Sequence, residues 1–334
     1  MIIHSLKKRF KFIKFNRRNS LILLFLIPFL ALIYSCSTTP AADRFLPSKA
    51  PPPKPMGPIK VALVLSGGGS RGLAHAGVIE VLEKNHIPID LIVGSSAGSF
   101  IGALYADDPH IVRLKNKIIS LTKWDIIDLS MLSSLKMLWQ LNGPVSGHSF
   151  RKFMDHNLTS KNFDTLKIPL VAVATDANTG ETYPLESGPL IPALQASGAL
   201  PLVFKPVKLY GRTLIDGGVS SPLPVEVAKQ YHPALIIAVD IGTSPNYGPV
   251  NNSYQLGNRA LHISYYHLTQ WQAKQADIVI HPDIDQYSMF EDKCNQEMYE
   301  AGKRAAQKAL PAIRQKLTLL ESKLESKLES NTHP

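Results

Sequence analysis

Ile89-Asp90-Leu91-Ile92-Val93-Gly94-Ser95-Ser96-Ala97-Gly98-Ser99-Phe100-Ile101 decides the reading of this chain. Ile89–Val93 is a short apolar run with a β-branched bias, the mark of a buried strand, whereas Phe100–Tyr105 continues with helical spacing. Between them Gly94 and Gly98 flank Ser96 at two residues on either side. That spacing fits a nucleophile elbow, a strained strand-to-helix turn that presents a side chain while small neighbours let two backbones pass. The helix that follows directs its N-terminal N–H groups at the same point and favours negative charge there. Ser96 is the candidate nucleophile.

Upstream, Ile59–Ser66 reads as the first strand, followed by Gly67-Gly68-Gly69-Ser70-Arg71-Gly72 and a helix over about 73–84. Gly67, Gly69 and Gly72 match the dinucleotide fingerprint. A nucleotide is disfavoured, because the next strand ends at Gly94-Ser95-Ser96 and not at a ribose-binding acid, and no Gly-Lys-Ser/Thr makes the loop a P-loop. The other use of such a loop is an oxyanion hole, with free backbone N–H groups facing the neighbouring strand end. In a parallel sheet the two ends adjoin, so loop and Ser96 share one crevice.

Downstream, residues 110 to about 157 read as helical and carry Ile118, Ile119, Leu121, Trp124, Ile126, Ile127, Met131, Leu132, Leu135, Met137, Leu138 and Trp139. Such a face packs on the sheet, caps the crevice or dips into lipid. Ile168–Asp176 returns to strand, and Asp176 before Asn178-Thr179-Gly180 fits a turn role. A hairpin through Tyr210-Gly211 delivers Leu214-Ile215-Asp216-Gly217-Gly218, an acid at a strand end before two glycines that allow close backbone approach. α/β alternation then resumes: a helix near 224–231, a strand over 234–240, a long helix over about 253–275, the strand Asp277–Ile280 and a helix from about Gln296.

The composition is globular, 45% hydrophobic and 19% charged over 334 residues. The net charge of +10 is concentrated: seven of the 36 Lys and Arg residues lie in 1–35, which holds no acid, leaving 29 against 26 Asp and Glu. No basic stripe with interleaved aromatics exists, so nucleic acid is not an expected partner. The basic start followed by the apolar run Leu21–Tyr34 reads as a secretory signal, since 14 residues containing Pro28 are short for about 30 Å of hydrocarbon. Ile33-Tyr34-Ser35-Cys36 resembles a bacterial lipobox with Cys36 as the lipidated residue, although Tyr34 departs from the small or aliphatic residue usual there; an uncleaved signal anchor is the alternative. The expected organisation is a signal peptide over 1–35, a Pro-rich linker over 36–58, a catalytic-type domain over 59–310 and a charged, mostly helical tail over 311–334. The two cysteines, Cys36 and Cys294, rule out a disulfide framework if Cys36 is acylated, and exclude a cysteine metal site.

The glycine loop, Gly94-x-Ser96-x-Gly98 and Asp216-Gly217-Gly218, in this order from about Lys60 to Lys308, resemble the patatin-like phospholipase family, as do Ala196-Ser-Gly-Ala-Leu-Pro201 and Asp277–Ile280. The resemblance implies an α/β three-layer sandwich around a mainly parallel central sheet. It also implies a Ser96–Asp216 dyad, with Ser96 as nucleophile, Asp216 as base and Gly67-Gly68-Gly69 with Arg71 as oxyanion loop. Gly72, Gly94, Gly98, Gly217 and Gly218 complete the motifs. Phospholipid, lysophospholipid or neutral-lipid esters are the implied substrates, with no metal or other cofactor. A lipid-anchored place in the cell envelope, at the outer membrane facing the periplasm, is expected from Cys36 and, by family analogy, Ser37. Two alternatives stay open: a Ser-His-Asp esterase, in which one of the eleven histidines would be indispensable (His75 and His86 fall on the first helix and its end), and a non-catalytic scaffold lipoprotein.

Overall fold

The structure, a computed structural model, describes residues 46–128, 145–244, 248–291 and 293–332. The strand that ends at Ser95 lies in the middle of its sheet. The strands are β1 (Val61–Leu65), β2 (Leu91–Ser95), β3 (Leu170–Asp176), β4 (Thr182–Leu185), β5 (Val207–Leu209), β6 (Arg212–Asp216), β7 (Leu235–Val239) and β8 (Ile278–Ile280). Their order is β5-β6-β3-β2-β1-β7-β8, with β4 also on β3. β3, β2, β1, β7 and β8 are parallel neighbours, while β4 and β6 run antiparallel to β3. β1, β2, β3 and β7 are buried along their whole length, which is why they read as unbroken apolar runs without alternation.

The helices are α1 (Leu73–Lys84), α2 (Ala97–Asp107), α3 (Ile111–Ile118), α4 (Lys123–Ile126), α5 (His148–Asn157), α6 (Leu190–Ser197), α7 (Val225–Lys229), α8 (Ser253–Ala273) and α9 (Asn295–Thr332). On one face of the sheet Val225, Val227 and Ala228 of α7, with Leu223, pack against Ala62, Val64, Val93, Val173 and Ala238. The other face carries α2, where Gly102 leaves room for Ile92, Leu65 and Leu170. The result is a mixed α/β sandwich with the sheet as its middle layer. α1 and α9 cross at van der Waals distance: a Cβ on Gly77 would stand 2.0 Å from the Tyr299 carbonyl oxygen, and one on Gly302 2.0 Å from that of Ala74. Beside this crossing the Tyr299 hydroxyl donates to Glu80, which also receives Lys84 at 2.6 Å.

Two expectations about the domain's edges change. α9 runs through Pro311 without ending at 310, and it buries Ile313 and Leu317, so the packed region continues into the stretch expected to be a tail. The described part of the linker does not stand clear of the domain. Proline lacks an N–H but keeps a carbonyl, and the Pro47 and Pro51 carbonyls accept from Tyr210 N (3.0 Å) and Ser187 Oγ (2.6 Å). The signal, the lipobox and Cys36 lie outside the described residues, as do Met131, Leu132, Leu135, Met137, Leu138 and Trp139.

Candidate active site

Ser96 occupies the corner between β2 and α2 with φ 51° and ψ −120°, a conformation that costs a non-glycine residue on the order of 1–3 kcal/mol. The corner persists because its surroundings leave no relaxed alternative. A side chain at Gly94 would stand 2.4 Å from Ser99 N, and one at Gly98 2.2 Å from the Leu65 carbonyl oxygen, so helix and strands meet backbone to backbone. Ser96 N–H donates to Ser197 Oγ (3.0 Å), Ser197 Oγ donates to the Val173 carbonyl (2.6 Å), and Ser99 Oγ donates to the Ser96 carbonyl (2.7 Å). These three bonds hold the backbone while the Ser96 side chain remains free to face the crevice.

Sheet register brings the acid to the serine. Val173 and Ala174, adjacent in β3, pair with Ser95 and Asp216 respectively. The Ser96 hydroxyl donates to Asp216 Oδ2 at 2.7 Å, and Gly218 N–H donates to Oδ1 at 2.7 Å. Gly217 lets β6 approach, since a Cβ there would lie 2.1 Å from the Val173 carbonyl oxygen. Asp216 is 4% exposed. Burial pushes its carboxyl up from the ordinary 3.8 to about 6, against the two hydrogen bonds, which favour the charged form. The group thus ionises near neutrality, where a general base is most effective.

The glycine loop divides into parts with different roles. Gly67 N–H donates to the Pro222 carbonyl (3.1 Å), so it is not a free oxyanion donor, and Gly67 does not line the crevice. Gly68 and Gly69 do line it, and their N–H groups have no partner among the described residues. Arg71 is buried and donates through Nε to the Gly68 carbonyl at 3.1 Å. In a trans peptide, C=O and N–H point in opposite directions, so this bond fixes the Gly69 N–H. Arg71 therefore positions the loop. Gly72 lies against Ala97 at the start of α2.

The crevice in front of these groups measures about 250 Å³. Phe100, Ile101, Ile118, Leu121, Ile126, Phe150, Leu194 and Phe204 line it, with Phe100 and Phe150 ring centroids 5.7 Å apart. The helical stretch after residue 110 thus does two jobs in its described part: Leu114 and Ile118 are buried, while Leu121, Ile126 and Ile127 wall the crevice and Trp124 is exposed beside it.

Other sequence candidates fall elsewhere. Asp176 accepts from Asn178 N and pairs with Arg212 at 2.7 Å, and these two interactions hold its carboxyl low, as its turn role requires. His75 bonds the Ser66 carbonyl through Nε2 at 2.8 Å, and burial lowers its pKa to about 4, so it is a neutral brace at the end of β1. His86 is exposed at the end of α1. With Ser96 on one oxygen of Asp216 and Gly218 on the other, the carboxylate meets the serine without an intervening imidazole.

Reading the sequence singled out neither Ser197 as the Ser96 clasp nor Tyr265 and His262 on α8, which line the crevice. Ser197 is signalled by the Ala196–Pro201 stretch. α8 has polar and apolar residues all round, and nothing local marks Tyr265.

A model of the patatin-like phospholipase family matches residues 63–229, half of the chain, and spans both Ser96 and Asp216. The chain belongs to the patatin-like phospholipase family. Among its patatin-like relatives, the mouse patatin-like phospholipase domain-containing protein 6 is 35% identical over 191 residues, 55% of this chain and 14% of that protein. Lysophospholipase NTE1 of Debaryomyces hansenii is 34% identical over 196 residues, 57% of this chain and 12% of its own. The chain thus aligns with only a small part of these long proteins. The crystal structure of VipD from Legionella pneumophila superposes with a TM-score of 0.51 at 14% identity, over 77% of this chain and 67% of VipD, a likeness of fold.

Proposed function

We propose that this patatin-like chain is a serine acyl-ester hydrolase of the phospholipase or lysophospholipase A type. The observation that carries the reading is the 2.7 Å hydrogen bond from the elbow serine, Ser96, to the buried Asp216 carboxylate, at the foot of an apolar crevice. Ser96 Oγ attacks the ester carbonyl while Asp216 takes its proton, and the oxyanion is met by the Gly68 and Gly69 N–H groups and the N-terminus of α2. Collapse breaks the bond to the alcohol, which leaves with the proton from Asp216. Water then attacks the acyl-serine, Asp216 again accepts and returns a proton, and the free fatty acid departs. The apolar crevice walls suit an acyl chain, and excluding water strengthens each charge interaction. Attachment to an envelope membrane through Cys36 belongs to the same proposal and is supported by the basic, apolar and Ser35-Cys36 pattern of the N-terminus.

The test is the mass of the intact full-length chain in detergent after exposure to an alkyl fluorophosphonate. One adduct on Ser96, absent from Ser96→Ala and formed far more slowly by Asp216→Asn, is the expected result. A folded wild type that takes no phosphonyl group rejects the dyad.

A further inference from the structure

The hydroxyl of Tyr265, on α8, is fully buried and has no hydrogen-bond partner among the described residues. Buried polar atoms are nearly always paired, so an unpaired donor calls for a ligand group to meet it. Its location narrows the choice. A side chain at Gly67 would stand 2.6 Å from the Tyr265 hydroxyl and 3.1 Å from Ser96 Cβ. One at Gly218 would stand 2.6 Å from Tyr265 Cε2 and 3.0 Å from Asp216 Oδ1. The phenol thus fills the space left by both glycines and lies directly beside the dyad, on the crevice wall.

No hydrogen bond joins it to the Asp216 carboxylate, whose oxygens take the Ser96 hydroxyl and the Gly218 N–H. The neighbouring Gly67 N–H is directed to the Pro222 carbonyl, so it supplies no donor beside the phenol. Burial, together with the negative charge of Asp216, pushes the phenol well above its ordinary pKa, so it keeps its proton throughout the working range. It is a donor held ready next to the nucleophile.

We propose that the Tyr265 O–H donates a hydrogen bond to the ester oxygen that gains negative charge when Ser96 attacks, joining the Gly68 and Gly69 N–H groups as a further donor. No proton is transferred and no covalent bond to the phenol forms. The inference rests on Ser96 being the nucleophile. Because the charge develops only in the transition state, the tyrosine acts on kcat and leaves ground-state binding almost unchanged.

Tyr265→Phe in the full-length chain tests this, because it keeps the ring over Gly67 and Gly218 and removes one oxygen. Turnover of a p-nitrophenyl acyl ester, the rate of phosphonylation by the fluorophosphonate and the melting temperature are measured for wild type, Tyr265→Phe and Ser96→Ala. The expected result is a fall in kcat and in phosphonylation rate of about tenfold or more, toward the roughly 100- to 1000-fold cost of losing one oxyanion donor. KM stays within about twofold and the melting temperature is unchanged or higher, since an unpaired buried polar atom has gone. A fall below about tenfold, or a loss confined to KM, overturns the role of Tyr265 while normal wild-type turnover leaves Ser96 standing. A folded wild type that neither turns over the ester nor accepts the phosphonyl group overturns both.

Discussion

Asp216→Asn should make the protein more stable at neutral pH. The carboxyl binds its proton with a pKa of about 6 in the folded chain against an ordinary 3.8, because burial penalises the anion more than Ser96 and Gly218 favour it. At 1.36 kcal/mol for each tenfold in proton affinity, that difference amounts to about 3 kcal/mol. Because the folded chain holds the proton more tightly than the unfolded one, this group costs nothing below about pH 4. Its cost grows as pH rises and is complete above about pH 6. Asparagine has nearly the same shape, can accept the Gly218 N–H and can donate to Ser96 Oγ, and carries no charge. The variant should therefore gain about 3 kcal/mol at pH 7.5, which at roughly 2 °C or more per kcal/mol for a domain of this size is about 6 °C in melting temperature. Thermal melts of both proteins from pH 4 to 8 measure it, with the gain shrinking through pH 6 and vanishing near pH 4. Equal stability at every pH, or a variant that melts lower at pH 7.5, would refute the claim that the site holds its base at the expense of the fold.

On the proposed mechanism the same carboxyl sets the rate. kcat/KM for a soluble ester should climb about tenfold per pH unit below about 6 and level off near 7, whereas a flat profile between pH 5 and 8 would exclude Asp216 as the base. Gly98→Ala forces a Cβ to 2.2 Å from the Leu65 carbonyl oxygen, so α2 must retreat from β1 at a cost of about 1–3 kcal/mol, and chemical denaturation matching wild type would show that the contact yields freely. Ile313→Ala should cost about 2–5 kcal/mol by the same assay, since Ile313 is buried in α9, while a residue of a solvated tail would lose nothing.

The order of local devices was legible in the sequence because each rests on near-neighbour physics. The unbroken apolar runs of β1, β2, β3 and β7 declare buried parallel strands, and the helix expected over about 73–84 is α1, Leu73–Lys84, bounded by Gly72 and Asn85. Gly94 and Gly98 mark the elbow because a side chain at either position collides with backbone a few residues or one strand away. The boundary at 310 misread α9, where the charged exterior hides buried Ile313 and Leu317, whose burial only tertiary packing reveals.

What the sequence by itself determined was the strand–loop–helix frame and the chemical types offered at its corners. What only the tertiary structure decided was which of those groups meet. Asp216 reaches Ser96 across 120 residues because consecutive positions of β3 pair with β2 and β6. The loop's N–H groups are sorted by a carbonyl at Pro222 and a guanidinium at Arg71. Tyr265 comes to the Ser96–Asp216 pair from a helix whose local pattern carries no mark of it. Spacing along the chain fixes turns and periodicity, but hydrogen-bond partners and the pKa of a carboxyl depend on what closes around it in space, and that is set by packing.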